Sequence, residues 1–202
     1  MTKLILLALV VAVIVAVRVE PQETRVEVGD RFPMLRGQFL TGSDAALPEA
    51  SSGVTRPVAI GFTYESRFPV EAWADWYSTA IGPRTDVTFF EAPMISGWAT
   101  LGQWFIDRGM RNGTPVALHE NVITVYGGAG AWKDALGYGP GYENDAYLVV
   151  LDGDGVVQWR YHGMFDDATA GRLRDVIVSL ADRDVETRHT TDHPTNDMAG
   201  SR

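Results

Sequence analysis

The stretch AYLVVLDGDGVVQWRY, Ala146–Tyr161, does most to limit how this chain can fold. Two runs rich in β-branched and aromatic residues flank Asp152-Gly153-Asp154-Gly155, which reads as a hairpin turn. A hairpin imposes an antiparallel pair. Upstream, strand and helix patterns alternate, and that order demands parallel strands joined by crossovers. Both demands are met by one mixed sheet with helices on its two faces.

The upstream elements follow from pattern. Val58–Thr63 reads as a buried strand. Pro69 is suited to the first turn of a helix, where its missing N–H costs nothing. Val70, Trp73, Tyr77 and Ile81 then share one helical face, and Gly82-Pro83 ends it. Asp86–Ala92 is a second strand. Ser96–Arg111 carries an apolar stripe of Trp98, Leu101, Trp104 and Phe105, stopped at Asn112–Pro115. Val122–Tyr126 is a short strand, Gly127–Gly130 a turn, and Ala131–Leu136 a short helix. Leu173, Val176, Ile177 and Leu180 mark a last amphipathic helix. Val28–Gly42 reads as an extended lead-in with a short strand, and Ser43–Thr55 as a loop.

The first nineteen residues form a separate piece. Leu4–Val17 is wholly apolar between Lys3 and Arg18. At ~1.5 Å per residue it spans roughly 21 Å, short of a ~30 Å hydrocarbon core, with the two cations able to reach the interface. This layout fits an uncleaved membrane-anchor helix, or a signal peptide cut after Ala16, although Ile14 suits that cut poorly. Either way the domain is expected on the exported side, periplasmic or intermembrane, and free there or secreted if cut. Residues 20–28 read as a linker, 29–182 as the folded domain and 183–202 as a disordered polar tail.

A net charge of −9 with no basic stripe argues against a nucleic-acid partner. The sequence contains no cysteine, which excludes disulfides, thiolate nucleophiles and zinc–thiolate sites.

Strand ending in Asp, turn, strand ending in Gly, and helix together resemble the C-terminal half of the thioredoxin superfamily. "VGDRF", Val28–Phe32, is similar to the lead-in of peroxiredoxin-like and thiol-reductase-like domains. The implied fold is a thioredoxin-like three-layer α/β/α sandwich over 28–181. A narrower likeness, to the mitochondrial ATP-synthase assembly factor family, rests on Pro115, His119, Tyr126-Gly127, Leu136-Gly137, Tyr147–Val149, Asp152, Gly155, Trp159 and Gly163. That resemblance implies an inner-membrane chaperone for the membrane subunit of a proton channel. The superfamily places a cis-proline just before its third strand. Here the position falls at Asn144-Asp145-Ala146, without proline.

The corner Tyr64–Phe68 stands where redox relatives carry their cysteine pair. Ser66 would need a base to act as a nucleophile, and Glu65 is its nearest candidate. Gly127–Gly130 does not complete a phosphate-loop motif. The Asp-Gly-Asp-Gly turn lacks the further oxygen ligands of a calcium loop. His119 and His162 are isolated in sequence, and His189 and His193 lie in the tail. No cofactor, metal or catalytic set is therefore expected. What remains is an aromatic surface suited to a protein partner, a membrane subunit by the resemblance: Tyr64, Arg67, Phe68, Trp73, Trp76, Met94 and Trp98. The competing expectation is an enzyme on the same fold using carboxylate, Ser or His chemistry in a cleft near Glu65, Glu91 and His119. A third is an envelope protein without a client.

Overall fold

The computed structural model describes residues 25–51, 53–97 and 102–192. One seven-stranded mixed sheet runs through it in the order β2-β1-β5-β4-β3-β6-β7. The strands are β1 Leu35–Phe39, β2 Asp44–Leu47, β3 Arg56–Gly61, β4 Phe90–Ile95, β5 Ile123–Tyr126, β6 Ala146–Leu151 and β7 Val157–Gly163. The helices are α1 Arg67–Ala80, α2 Gln103–Gly113, α3 Ala129–Leu136 and α4 Asp167–Asp192.

β3, β4 and β5 are parallel, and the crossovers through α1 and α2 run in the same direction across the sheet. The hairpin pairs β6 with β7, and β6 runs antiparallel to β3. Two cores result. Phe90, Ala92 and Met94 of β4, with Tyr147 and Val149 of β6, pack under α3 and the lead-in segment. Ala59, Leu148 and Val150 pack under α1 and α4, with Trp73, Leu173 and Ile177 closing that side. Helices therefore cover both faces, as the alternation of elements requires.

The hairpin turn is built from its own polar groups. The Asp152 carboxylate accepts from the Asp154 and Val156 amides at 3.0 and 2.9 Å, and from the Gln158 side chain at 2.7 Å. Arg56 is fully buried at the start of β3, and its guanidinium donates to the Asp152 and Gly153 carbonyls at 2.7 and 3.0 Å. The turn is thus tied to the central strand.

Several sequence expectations are corrected. Ser43–Thr55 contains β2, which pairs with β1 in register from Leu35–Leu47 to Gln38–Asp44. β4 continues past Pro93, because Met94 and Ile95 pair with Val125 and Tyr126. Of the linker, Val26 is buried, and its amide donates to the Ala135 carbonyl. The polar stretch after Arg183 does not leave the fold at once. α4 runs on to Asp192, and Asp184 accepts from the Thr55 hydroxyl at 2.9 Å. Asp182 pairs with Arg84 at 3.3 Å. Polar tethers hold a segment that apolar burial alone would not.

The two residues of the expected apolar stripe that lie on α2, Trp104 and Phe105, do not face the core. Trp104 and Phe105 are 59% and 73% exposed, and among the described residues of α2 the buried one is Asp107. Its carboxylate accepts from the Tyr126 hydroxyl at 2.6 Å, while Arg111 donates to the Leu40 carbonyl at 2.6 Å. These polar contacts help to seat the helix. Among the described residues no helix is long and apolar enough to cross a membrane. The apolar segment Leu4–Val17 and the last ten residues lie outside the described residues.

Candidate binding site

Strand register gathers one end of the sheet. Gly61 ends β3, Ile60 pairs with Tyr147 near the start of β6, and Ala146 pairs with Gly163 at the end of β7. The corner 62–68, the loop at Asn144-Asp145 and the turn at Gly163-Met164 therefore share that end.

Ser66 is the pivot of the corner, and it is 1% exposed. Its hydroxyl donates to the Thr63 carbonyl at 2.7 Å and accepts from the Thr63 amide at 3.1 Å. Its own amide donates to the Thr63 hydroxyl at 3.1 Å, and that hydroxyl donates to the Asn144 side chain at 2.8 Å. A hydroxyl occupied in this way closes the turn instead of attacking a substrate. Gly61 belongs to the same device: a Cβ there would stand 2.6 Å from the Ser66 oxygen.

Beyond this closed turn the corner presents rings to solvent. Tyr64 is 69% and Phe68 54% exposed. The Arg67 guanidinium lies between them, 4.1 Å from the Tyr64 ring centroid and 4.5 Å from that of Phe68. Tyr142 and Met164 are exposed at the same end of the sheet. Trp73 does not join this surface. It is 1% exposed and packs edge-on against Trp76, Tyr161 and Phe165 at 5.8, 6.0 and 5.0 Å between centroids. Trp76 is half-buried beside it. Met94 is buried under α3, on the opposite face of the sheet from α1. Burial thus removes Trp73 and Met94 from any accessible patch. Two tryptophans three positions apart lie on neighbouring parts of one helical face, Trp73 in the core and Trp76 at its rim. Trp98 lies outside the described residues.

The carboxylate–histidine alternative is not brought together. Glu65 sits on the corner. His119 precedes β5, at the opposite end of the sheet, where its ring meets the Thr114 carbonyl at 3.0 Å. Glu91 is on β4, near Glu71 and Asp75 of α1. Burial, reinforced by Glu71 and Asp75, pushes its carboxyl up from 4.5 to about 7.

One pairing was not legible from sequence spacing. His162 Nδ1 meets the Asp145 carboxylate at 2.8 Å, and its ring packs on Tyr142 and Tyr147 at 4.6 and 5.3 Å between centroids. The hairpin register that sets Tyr147 opposite His162 was the available signal. Among the described residues no cluster of three or more His, Asp or Glu side chains is arranged to hold a metal.

Sheet order, crossovers and the terminal hairpin and helix together define a thioredoxin-like α/β fold. Within that class this is a cysteine-free domain, so the thiol chemistry of the class is not available to it. Solved structures agree on the fold. The thioredoxin domain of a thiol-disulfide oxidoreductase from Bacteroides vulgatus superposes with a TM-score of 0.51 at 14% identity, covering 75% of this chain and 99% of that one. BsSco, a member of the Sco family of cytochrome c oxidase assembly proteins, gives 0.56 at 13% identity, covering 80% and 99%. No protein-family model matches the chain, and no curated protein sequence does.

Proposed function

We propose that this is a redox-inactive thioredoxin-like protein that binds another protein through the corner surface. The observation that carries the reading is the exposed Tyr64–Arg67–Phe68 cluster, mounted on a turn held by the Thr63 and Ser66 hydroxyls. An arginine set between two exposed rings presents apolar area, π faces and one positive charge together, the composition found at the centres of protein interfaces. The turn is already ordered, so docking costs little conformational entropy.

In this proposal Leu4–Val17 tethers the domain to a membrane on its exported side, and the partner is a membrane subunit met during assembly of a larger complex. The resemblance to ATP-synthase assembly factors supplies the first candidate, the membrane subunit of the proton channel. The similar fold of BsSco, a member of a family of cytochrome c oxidase assembly proteins, supports this reading.

The test is site-specific photocrosslinking of the full chain in its native membrane, with p-benzoylphenylalanine in place of Phe68. The expected result is one dominant adduct containing a membrane subunit, lost in a Tyr64→Ala/Arg67→Ala background. Absence of any specific adduct at position 68 would sink the proposal.

A further inference from the structure

The lead-in segment fixes the side from which the chain enters the domain. The Phe32 and Gly29 amides donate to the Gly155 and Val157 carbonyls at 2.9 and 2.8 Å, and the Arg160 guanidinium donates to the Val26 carbonyl. The segment therefore runs antiparallel to β7. Its upstream end points to the end of the sheet where Ala146 pairs with Gly163, which is the corner end. Arg25 follows Val17 by eight positions, a reach of at most roughly 29 Å. With Leu4–Val17 as the proposed tether, the bilayer surface lies close to this end.

The exposed rings are gathered there. Among the described residues the exposed aromatic side chains are Tyr64, Phe68, Trp104, Phe105 and Tyr142. Tyr64, Phe68 and Tyr142 belong to the corner end, and α2 adds the other two. The Tyr126 hydroxyl, at the end of β5, reaches the Gln103 carbonyl and the Asp107 carboxylate, whereas Arg111 reaches Leu40, beside the start of β5. α2 thus runs antiparallel to β5. Because β3, β4 and β5 are parallel, its first turn sits at the corner end. Asp107 is buried against the domain, and Trp104 and Phe105 stand exposed in edge contact, 4.7 Å between centroids. The Arg108 guanidinium lies over the Trp104 ring at 5.3 Å. At the opposite end the exposed apolar residues Val116 and Leu118 are aliphatic.

We infer that the corner end faces the bilayer, with Trp104 and Phe105 in its interfacial layer. Rings beside a cation suit this layer, where apolar bodies are buried while the indole N–H and the guanidinium stay wet. In a chain of net charge −9, with Glu65, Glu143 and Asp145 at this end, a zwitterionic surface is the match and anionic headgroups are not required. The inference rests on the tether reading. It brings the Tyr64–Arg67–Phe68 cluster to the membrane plane, where an embedded subunit would be met.

The chain has no cysteine, so single reporters can be placed on the full chain. Gly109→Cys carries a fluorophore one turn beyond Phe105, where an added Cβ meets no atom within 4 Å. Val116→Cys carries the same label at the opposite end. Each is reconstituted in phosphatidylcholine vesicles containing headgroup-spin-labelled lipid. Insertion of the rings by ~5–10 Å should make quenching at position 109 roughly threefold stronger than at position 116. Trp104→Ser/Phe105→Ser should lower quenching at 109 to about the level at 116, with the unfolding midpoint unchanged. Equal quenching at the two positions, stronger quenching at 116, or no effect of the double substitution would each overturn the inference and leave the tether standing. A chain that fails to float with the vesicles would overturn the tether reading and this inference with it. The comparison of the two positions decides the matter with both rings in place, whatever the double substitution does to folding.

Discussion

Gly61→Ala is the sharpest test of how the corner is built. The added Cβ would stand 2.6 Å from the Ser66 oxygen and 3.4 Å from a Val70 methyl. The first distance is far inside contact range, and the Ser66 hydroxyl cannot swing away without losing its bonds to the Thr63 carbonyl and amide. Overpacking of this kind costs about 1–3 kcal/mol, and losing the two hydrogen bonds adds about 1 kcal/mol each. Ser66→Ala alone should cost about 1–2 kcal/mol by the same reckoning. It also removes the atom that Gly61→Ala collides with. The double variant should therefore be little less stable than Ser66→Ala alone, with a coupling of about 1–3 kcal/mol in its favour. Urea unfolding followed by tryptophan fluorescence reads this directly, since Trp73 and Trp76 lie on the helix that starts here. Additive costs in the double variant, or a neutral Gly61→Ala, would refute the steric account.

Other outcomes follow from packing and charge. Trp73→Ala should cost about 3–5 kcal/mol, because it empties the centre of the α1–α4 core; a Phe68→Ala control, on the exposed corner, should leave the unfolding midpoint almost unchanged. Glu91 titrates at about 7 in the fold against an ordinary 4.5, so the unfolded chain releases this proton first. The contribution of this group to stability should be greatest below the ordinary value and fall as pH rises to about 7. Glu91→Gln should remove that decline, gaining on the order of 3 kcal/mol over the parent between acid and alkaline ends of a pH series of melts; a difference independent of pH would contradict it. Asp184→Ala should strip the acceptor from Thr55 and raise amide exchange across 182–186 severalfold, about 1 kcal/mol of local protection, with strand amides unchanged.

Elements with a strong local period were legible in the sequence. The hairpin and α1 follow from turn chemistry and from the spacing of Val70, Trp73 and Tyr77. β2 was hidden because Asp44–Leu47 is short and small-chained and lies at a sheet edge, where pairing with β1 rather than side-chain pattern defines it. The stripe on α2 shows a different limit: periodicity reveals a face but not what that face meets. At the site, the corner could be located from the strand–turn–helix order and the exposure of Tyr64 and Phe68 guessed from it. The fate of Trp73 and Met94 could not, since it depends on which side of the sheet each helix covers. His162 and Asp145 are 17 positions apart and meet only through the hairpin register.

The bond from Thr55 to Asp184 joins positions 129 apart, and Leu173, Ile177 and Leu180 from the same late helix complete one of the two cores. During synthesis the central strand β3 therefore waits for a segment more than 100 positions further along the chain before one side of it is covered. Until then Ala59, Leu148, Val150 and Trp73 stay open to solvent, a long-range closure of the kind that slows folding and exposes nascent chains to aggregation. Ribosome-stalled chains ending before residue 173 should accordingly remain protease-sensitive in β3 and α1, and only those with α4 fully emerged should resist.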